Sequence, residues 1–160
     1  DLDQLRPTPI GTLALAATFI EGDDLHPQAN RDKMAAGLPL DDADRWPFLQ
    51  AVAAALRNPS HGGAVAACSA LRRRYRDLLR EQAGPLRFVL PVLPEALLRQ
   101  RLALRQGHFM PASLLDSQLA SFETPSADEP VIQVDGRLAT AAQVQQALAL
   151  RPPGDQGIGR

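Results

Sequence analysis

The stretch "ATFIEGDDLHPQANRDKM", residues 17–34, has the pattern of a short strand, a polar turn and a short helix. Its apolar start is followed at once by "EGDDLHP", residues 21–27, which holds three acids, a glycine, a histidine and a proline. In α/β proteins the loop at the carboxyl end of a strand is where ligands bind. Carboxylates and imidazoles hold hydroxyls, move protons and bind metals. The heptapeptide therefore predicts either a ligand-binding loop or a solvated turn.

Apolar runs and helical patterns alternate along the rest of the chain. The strand-like runs are Ala17–Ile20, Gly63–Ala67, Leu86–Leu93 and Pro130–Val134. The helical patterns cover residues 28–36, 42–57, 71–82, 94–106, 111–121 and 140–150. This alternation predicts an α/β fold of three layers (α/β/α), with a mostly parallel sheet between the helices. Residues 151–160, with two prolines and three glycines, are expected to form a disordered tail.

Composition restricts the classes of function. The 160 residues are 45% apolar and 22% charged, which is typical of one soluble globular domain. A net charge of -1 gives no general attraction to nucleic acid or to membranes. The single cysteine, Cys68, excludes an internal disulfide and fits a reducing compartment. We therefore expect a cytoplasmic protein with no nucleic-acid or membrane partner.

Two groups of arginines have helical spacing. Arg101 and Arg105 lie four residues apart, just before Gly107, so they share a helix face that could close over phosphates. A solvated helix face is the alternative. A second stripe follows the run that ends at Ala67, on a helix whose first amides could face a ligand. Its members are Arg72, Arg76 and Arg80, and the same helix should bury Tyr75, Leu78 and Leu79.

The segment "LDDADRW", residues 40–46, begins a further helix. Its three aspartates suit the first turn, where the helix dipole favours acids. The dipole does not explain Arg45 and Trp46 in the same turn, and a pocket wall is the interpretation we favour.

Three longer segments together resemble the gluconokinases, small sugar-acid kinases of the nucleoside-monophosphate-kinase type with a P-loop core. They are "GDDLHPQANRDKMAAGLPLDDADRWPFL", "ACSALRRRYRDLLR" and "RQGHFMPASLLDSQLASFETP", residues 22–49, 67–80 and 105–125. They stand in the family's order and spacing. The resemblance implies transfer of the γ-phosphoryl group of ATP to the 6-hydroxyl of D-gluconate, which gives 6-phospho-D-gluconate.

The resemblance also implies roles for individual residues. Asp23 would orient the attacking hydroxyl and accept its proton, while His26 and Arg45 would hold the polyol and its carboxylate. Lys33 and Arg76 would belong to the substrate side. Arg101 and Arg105 would neutralise phosphate charge from a lid. ATP and Mg²⁺ are the implied cofactors, a homodimer is the implied assembly, and no metal site built from protein side chains is expected.

The family's phosphate-binding motif, G-x-x-x-x-G-K-[ST], does not occur in this sequence. Lys33 is the only lysine, and residues 1–16 form a divergent segment where the motif would stand, ahead of a gluconokinase-like domain over residues 17–150. We therefore expect the central first strand to be absent or replaced by residues 2–10, and Pro91 to interrupt the strand in "FVLPVLPE". Activity should be impaired, and a non-catalytic sugar-acid-binding relative or a truncated remnant is the alternative.

Overall fold

The computed structural model of the 160-residue chain describes residues 17–59, 63–104 and 112–150. Four strands lie in these ranges: β1 (Thr18–Glu21), β2 (Ala64–Ala67), β3 (Phe88–Val92) and β4 (Val131–Asp135). The α-helices are α1 (Gln28–Ala35), α2 (Asp42–Arg57), α3 (Arg73–Ala83), α4 (Glu95–Leu104), α5 (Ala112–Ser121) and α6 (Thr140–Ala149). A short 3₁₀ helix, Gly22–Leu25, follows β1 directly.

The strands pair in parallel, as the alternation of strands and helices predicts. Thr18 on β1 lies opposite Ala64 on β2, and Phe88 on β3 lies opposite Val131 on β4. Within the described ranges these are two separate two-stranded sheets, and no described strand is hydrogen-bonded between them. The predicted α/β class with parallel strands is confirmed. The proposed replacement strand at residues 2–10, like the rest of the 1–16 segment and the 151–160 tail, lies outside the described residues.

Pro91 lies inside β3 and does not end it. Phe88 donates its N–H to the carbonyl of Pro130 at 3.0 Å, and the carbonyl of Val92 accepts from the N–H of Gly136 at 2.8 Å. Phe88 and Val92 therefore turn their peptide groups toward β4. Because this direction alternates along a strand, Pro91 turns its nitrogen to the opposite edge, where a proline breaks no bond to β4. The expectation that Pro91 interrupts this strand is wrong for that reason.

The buried core lies between α2 and α3. Its members are Phe48, Leu49, Val52, Ala53, Tyr75, Leu78 and Leu79, each at most 4% exposed. The three residues predicted to be buried on α3 are among them. Ala66 of β2 and Phe88 of β3 both pack against the same cluster, so the core contacts both pairs of strands. Asp42, at the start of α2, accepts hydrogen bonds from Arg74 and from the hydroxyl of Tyr75, which joins the amino-terminal ends of the two helices.

A buried ion pair ties α3 to the segment that leads into β4. The Nε of Arg76 donates to Glu129 at 2.5 Å, Nη2 donates to the second carboxylate oxygen at 3.0 Å, and the two side chains are 3% and 2% exposed. Nη1 donates to the carbonyls of Ala70 and Leu71. Glu129 also accepts from the backbone and hydroxyl of Ser126. Every nitrogen of the guanidinium thus has an acceptor, which is the condition under which a buried pair is tolerated.

The Glu129 carboxylate should be essential for stability. The hydrogen bond from Arg76 lowers the pKa of Glu129 from 4.5 to about 2. The pair therefore stabilises the fold above pH 4.5, and this contribution is lost as the pH falls toward 2. At neutral pH, Glu129→Gln leaves a buried cation without its counter-charge, and we expect the free energy of unfolding to fall by about 3 to 5 kcal/mol in urea titrations.

Asp128→Asn is the matched control, because it removes the neighbouring carboxylate from an exposed pair with Arg73. We expect this variant to lose much less stability than Glu129→Gln. Equal losses for the two variants would contradict the assignment of the buried pair as the stabilising contact.

Candidate functional site

The polar turn after β1 is held against the end of β2 by Gly22. A Cβ atom built on Gly22 would lie 2.1 Å from the carbonyl oxygen of Ala67, and 3.5 Å from the Cα of Cys68. Only glycine allows so close an approach of two backbones. The carboxyl ends of β1 and β2 are therefore in contact, and the turn places Asp23 beside them with its side chain exposed.

His26 ends this turn and is buried, although its side chain is polar. Its ring is 6% exposed and stacks on Phe48 of α2, with the ring centroids 3.7 Å apart and the planes 9° apart. Burial lowers the pKa of His26 below 6.5; the Asp23 carboxylate opposes this change, whereas Arg45 and Arg31 reinforce it. His26 is therefore neutral at physiological pH, and these charged groups are its electrostatic neighbours.

Asp44 organises the start of α2. It forms a capping box with Asp41, in which each side chain accepts from the backbone N–H of the other residue. Both carboxylate oxygens of Asp44 also accept from the Nζ of Lys33 at 2.7 Å, which raises the pKa of Lys33 and lowers that of Asp44. The backbone carbonyl of Asp44 accepts from Asn30 at 2.7 Å. Helix α1 is thus fixed to α2 through a single residue.

Arg45 lies on the inner side of the same turn. It is 8% exposed, and its Nε donates to the carbonyl of Leu40 at 3.3 Å. Its positive charge acts on His26 and on Cys68, as does the negative charge of Asp23. Asp23, His26 and Arg45 are therefore grouped around the carboxyl ends of β1 and β2.

The other predicted site residues have different surroundings. Lys33 is tied to Asp44, and Arg76 is fully engaged in the buried pair described above, so we leave Arg76 out of the site. Arg101 donates to the backbone carbonyls of Gly136 and Arg137, at 2.5 and 3.1 Å. These bonds fix α4 to the turn after β4. Arg105, with the Gly107 hinge, lies outside the described residues.

A concave surface lies away from these residues, at the carboxyl ends of β3 and β4. It is an open depression of about 540 Å³, lined by Val92, Leu93, Pro94, Gln133, Val134, Asp135 and Arg137. Hydrogen bonds from Arg137 lower the pKa of Asp135 to about 2, so this carboxylate is ionised at neutral pH. The turn that anchors Arg101 forms part of its rim.

Two residues of the site were not predicted from the sequence. Phe48 supports the His26 ring, and Asn30 connects that ring to α2. Asn30 follows His26 by only four residues, but His26 has extended backbone angles and precedes α1, so helical spacing does not indicate the contact. The partnership with Phe48 spans 22 positions, and no local pattern indicates it.

The described residues contain no cluster of three or more side chains suited to holding a metal ion. Over the same ranges, none of the helices has the length and apolar character needed to cross a membrane.

Comparison with known proteins gives one consistent result. A gluconokinase of Gluconobacter oxydans is 52% identical over 120 residues, which cover 74% of this chain and 67% of that protein. The thermosensitive gluconokinase of Escherichia coli is 41% identical over 125 residues, covering 76% of this chain and 66% of its own. The crystal structure of a gluconokinase from Sinorhizobium meliloti matches with a TM-score of 0.78 at 45% identity, over 88% of this chain and 79% of that one. No protein-family model matches the sequence.

A crystal structure of a sugar kinase from Janibacter matches with a TM-score of 0.75 at 35% identity, over 88% of this chain and 83% of that one. In the sequence comparisons, this chain spans about two thirds of the length of the first curated relatives, 67%, 64% and 66%.

The contact between Gly22 and β2 can be tested through the thiol of Cys68. Burial raises the pKa of Cys68 to about 12, so the native thiol should react slowly with Ellman's reagent at pH 8. Gly22→Ala forces the turn away from Ala67, and we expect it to accelerate that reaction and to lower stability by about 1 to 3 kcal/mol.

Gly37→Ala serves as the control. Gly37 has φ +72°, so alanine is strained there, but nothing lies within 4 Å of its Cβ position. This variant should lose stability without any change in native thiol reactivity. If Gly22→Ala left the reactivity of Cys68 at the wild-type rate, the close approach of the two backbones would be refuted.

Proposed function

Since the chain belongs to the gluconokinase family, we propose that its site serves transfer of the γ-phosphoryl group of ATP to the 6-hydroxyl of D-gluconate. The product is 6-phospho-D-gluconate. The observation that carries the proposal is the grouping of Asp23, His26 and Arg45 at the carboxyl ends of β1 and β2. This is the edge of a parallel sheet at which α/β proteins bind ligands.

Asp23 is the group we propose to orient the 6-hydroxyl and to accept its proton. Its carboxylate is exposed on the short 3₁₀ helix, so a substrate hydroxyl can reach it. Phosphoryl transfer depends mainly on positioning the attacking hydroxyl and on neutralising the charge of the phosphates. A carboxylate beside the hydroxyl positions it. Gly22 fixes the backbone on which Asp23 stands.

Arg45 and His26 are the groups we propose to hold the acid sugar. Among the residues that the structure describes, Arg45 has its Nε engaged with Leu40 and no partner on its outer nitrogens, which can therefore bind a carboxylate. His26 supplies a neutral, orienting hydrogen bond. Lys33 uses its ammonium on Asp44, so we assign it to the rim of the site, where one remaining hydrogen can reach a hydroxyl.

The residues of this chain fit the binding of ATP less well than the binding of a sugar acid. The 160 residues contain no G-x-x-x-x-G-K-[ST], the motif whose amides and lysine cradle ATP phosphates, and Lys33 is occupied elsewhere. We propose Arg101 and Arg105 as phosphate-neutralising lid residues, which requires Arg101 to exchange its two carbonyl acceptors for phosphate.

A non-catalytic sugar-acid-binding protein is the second candidate. The sequence contains every residue proposed for the sugar side but lacks the phosphate-binding motif. This combination favours a protein that binds the sugar acid without phosphorylating it. The two candidates share gluconate binding and differ in ATP binding and turnover. A cytoplasmic location and a homodimer stay predictions in both cases.

The 160-residue polypeptide should bind gluconate without phosphorylating it. We expect a measurable heat of gluconate binding in titration calorimetry, no measurable binding of Mg-ATP, and no 6-phosphogluconate in a coupled assay. The physical reason is that lid arginines cannot replace the cradle onto which they close.

The Gluconobacter oxydans gluconokinase, assayed in parallel, is the positive control for turnover. Turnover by the 160-residue polypeptide at a comparable rate would contradict the expected impairment. Absence of gluconate binding to a folded sample would contradict the proposed site itself.

Arg45 should contribute directly to gluconate affinity. Arg45→Gln removes a charge-assisted contact to the carboxylate, and we expect the Kd for gluconate to rise by about ten- to a hundredfold. Arg57→Gln removes the same charge from the exposed last turn of α2, and its Kd should stay close to that of the wild type. Thermal melts establish that both variants are folded. Equal Kd values for the two variants would exclude Arg45 from the site.

A further inference from the structure

Asn30 is a buried polar residue whose role the proposed chemistry does not include. It is 3% exposed and lies in the first turn of α1. Its side-chain nitrogen, Nδ2, donates to the backbone carbonyl of Asp44 at 2.7 Å and lies 3.3 Å from Nδ1 of His26. One amide group therefore contacts both the site histidine and the start of α2.

The Asp44 carbonyl fixes which way the Asn30 amide points. A carbonyl oxygen can only accept, so the NH₂ end of the amide must face it. The same NH₂ group then directs its second hydrogen toward Nδ1 of His26. Because a donor faces it, Nδ1 must be the unprotonated nitrogen of the ring, and the proton of the neutral imidazole must be on Nε2.

The other contacts of the His26 ring are consistent with a neutral imidazole that carries its proton on Nε2. Phe48 stacks on one face and prevents the ring from turning over. Within the described residues Nε2 has no protein partner, and every buried side-chain nitrogen there has one, so Nε2 reaches solvent. The His26 ring therefore has one committed nitrogen and one outward N–H.

We propose that Asn30 is a positioning residue that holds His26 as the Nε2–H tautomer, so that the ring offers a single donor to a hydroxyl or carboxylate oxygen of the sugar acid. The identity of that ligand rests on the proposed function, whereas the tautomer does not. A ring whose outward nitrogen already carries a proton cannot take one from the 6-hydroxyl. His26 is thus an orienting group, and Asp23 is left as the proton acceptor.

The tautomer can be read directly from the imidazole nitrogens by NMR of the ¹⁵N-labelled chain. The sequence has three histidines, so His26→Gln identifies the His26 signals by their loss. At pH 7.5 we expect Nε2 to carry the proton and Nδ1 to show the shift of an unprotonated nitrogen. An Nδ1–H tautomer, or an equal mixture of the two, would overturn the proposal. If His26→Gln does not fold, the double replacement His61→Gln with His108→Gln leaves His26 as the only imidazole and identifies its signals instead.

Asn30→Asp tests the positioning role. An aspartate accepts from Nδ1–H, so we expect the tautomer to shift and the pKa of His26 to rise. Three charged groups already act on the ring, Asp23 from the 3₁₀ helix, Arg31 from α1 and Arg45 from α2, and they are unchanged in this variant. Gln28→Glu makes the same amide-to-acid change on the exposed face of α1 and should leave both readouts at their wild-type values.

Gluconate titrations of the same samples distinguish the proposed function from the positioning role of Asn30. We expect the Kd for gluconate to rise by about tenfold in Asn30→Asp, and to stay unchanged in Gln28→Glu. If the wild type shows the Nε2–H tautomer and binds no gluconate, the proposed function fails and the tautomer assignment stands. If gluconate binds equally to wild type and Asn30→Asp, the positioning role is overturned and the proposed function stands.

Discussion

The buried pair of Arg76 and Glu129 is the contact on which the described fold depends. The two parallel pairs of strands are not hydrogen-bonded to each other within the described ranges, and side-chain contacts are among those that connect them. The core between α2 and α3 contacts both pairs, but apolar contact is non-directional and does not fix a register. An ion pair with every donor satisfied is directional, and it connects α3 to the approach to β4.

Helix α2 supports both the core and the candidate site. One face of α2 buries Phe48 in the core, and the ring of Phe48 in turn carries His26. The first turn of α2 presents Asp44 and Arg45, which connect the site to α1 and supply its positive charge. The polar turn after β1 is thus a supported loop, and its histidine has fixed surroundings before any ligand binds.

Much of the fold could be predicted from the sequence, because its strands and helices have distinct periods and clear ends. Failures arose where the outcome depends on distant residues. Pro91 was expected to interrupt β3, but the cost of a proline depends on which edge its nitrogen faces, and pairing with β4 decides that. Arg76 has the helical spacing of a ligand-binding stripe, whereas its partner Glu129 lies 53 positions away. The grouping of Asp23, His26 and Arg45 was foreseen through the family resemblance, and the supporting contacts of His26 were not.

We propose that a sugar-acid site at the carboxyl ends of β1 and β2 binds its ligand independently of a phosphate cradle. The most direct measurement is the change in backbone amide shifts of the ¹⁵N-labelled chain on addition of gluconate. We expect the largest changes at residues 22–26 and at Asp44 and Arg45, with little change at residues 133–137. Changes concentrated at residues 133–137, around the depression beside β3 and β4, or no changes at saturating gluconate, would contradict it.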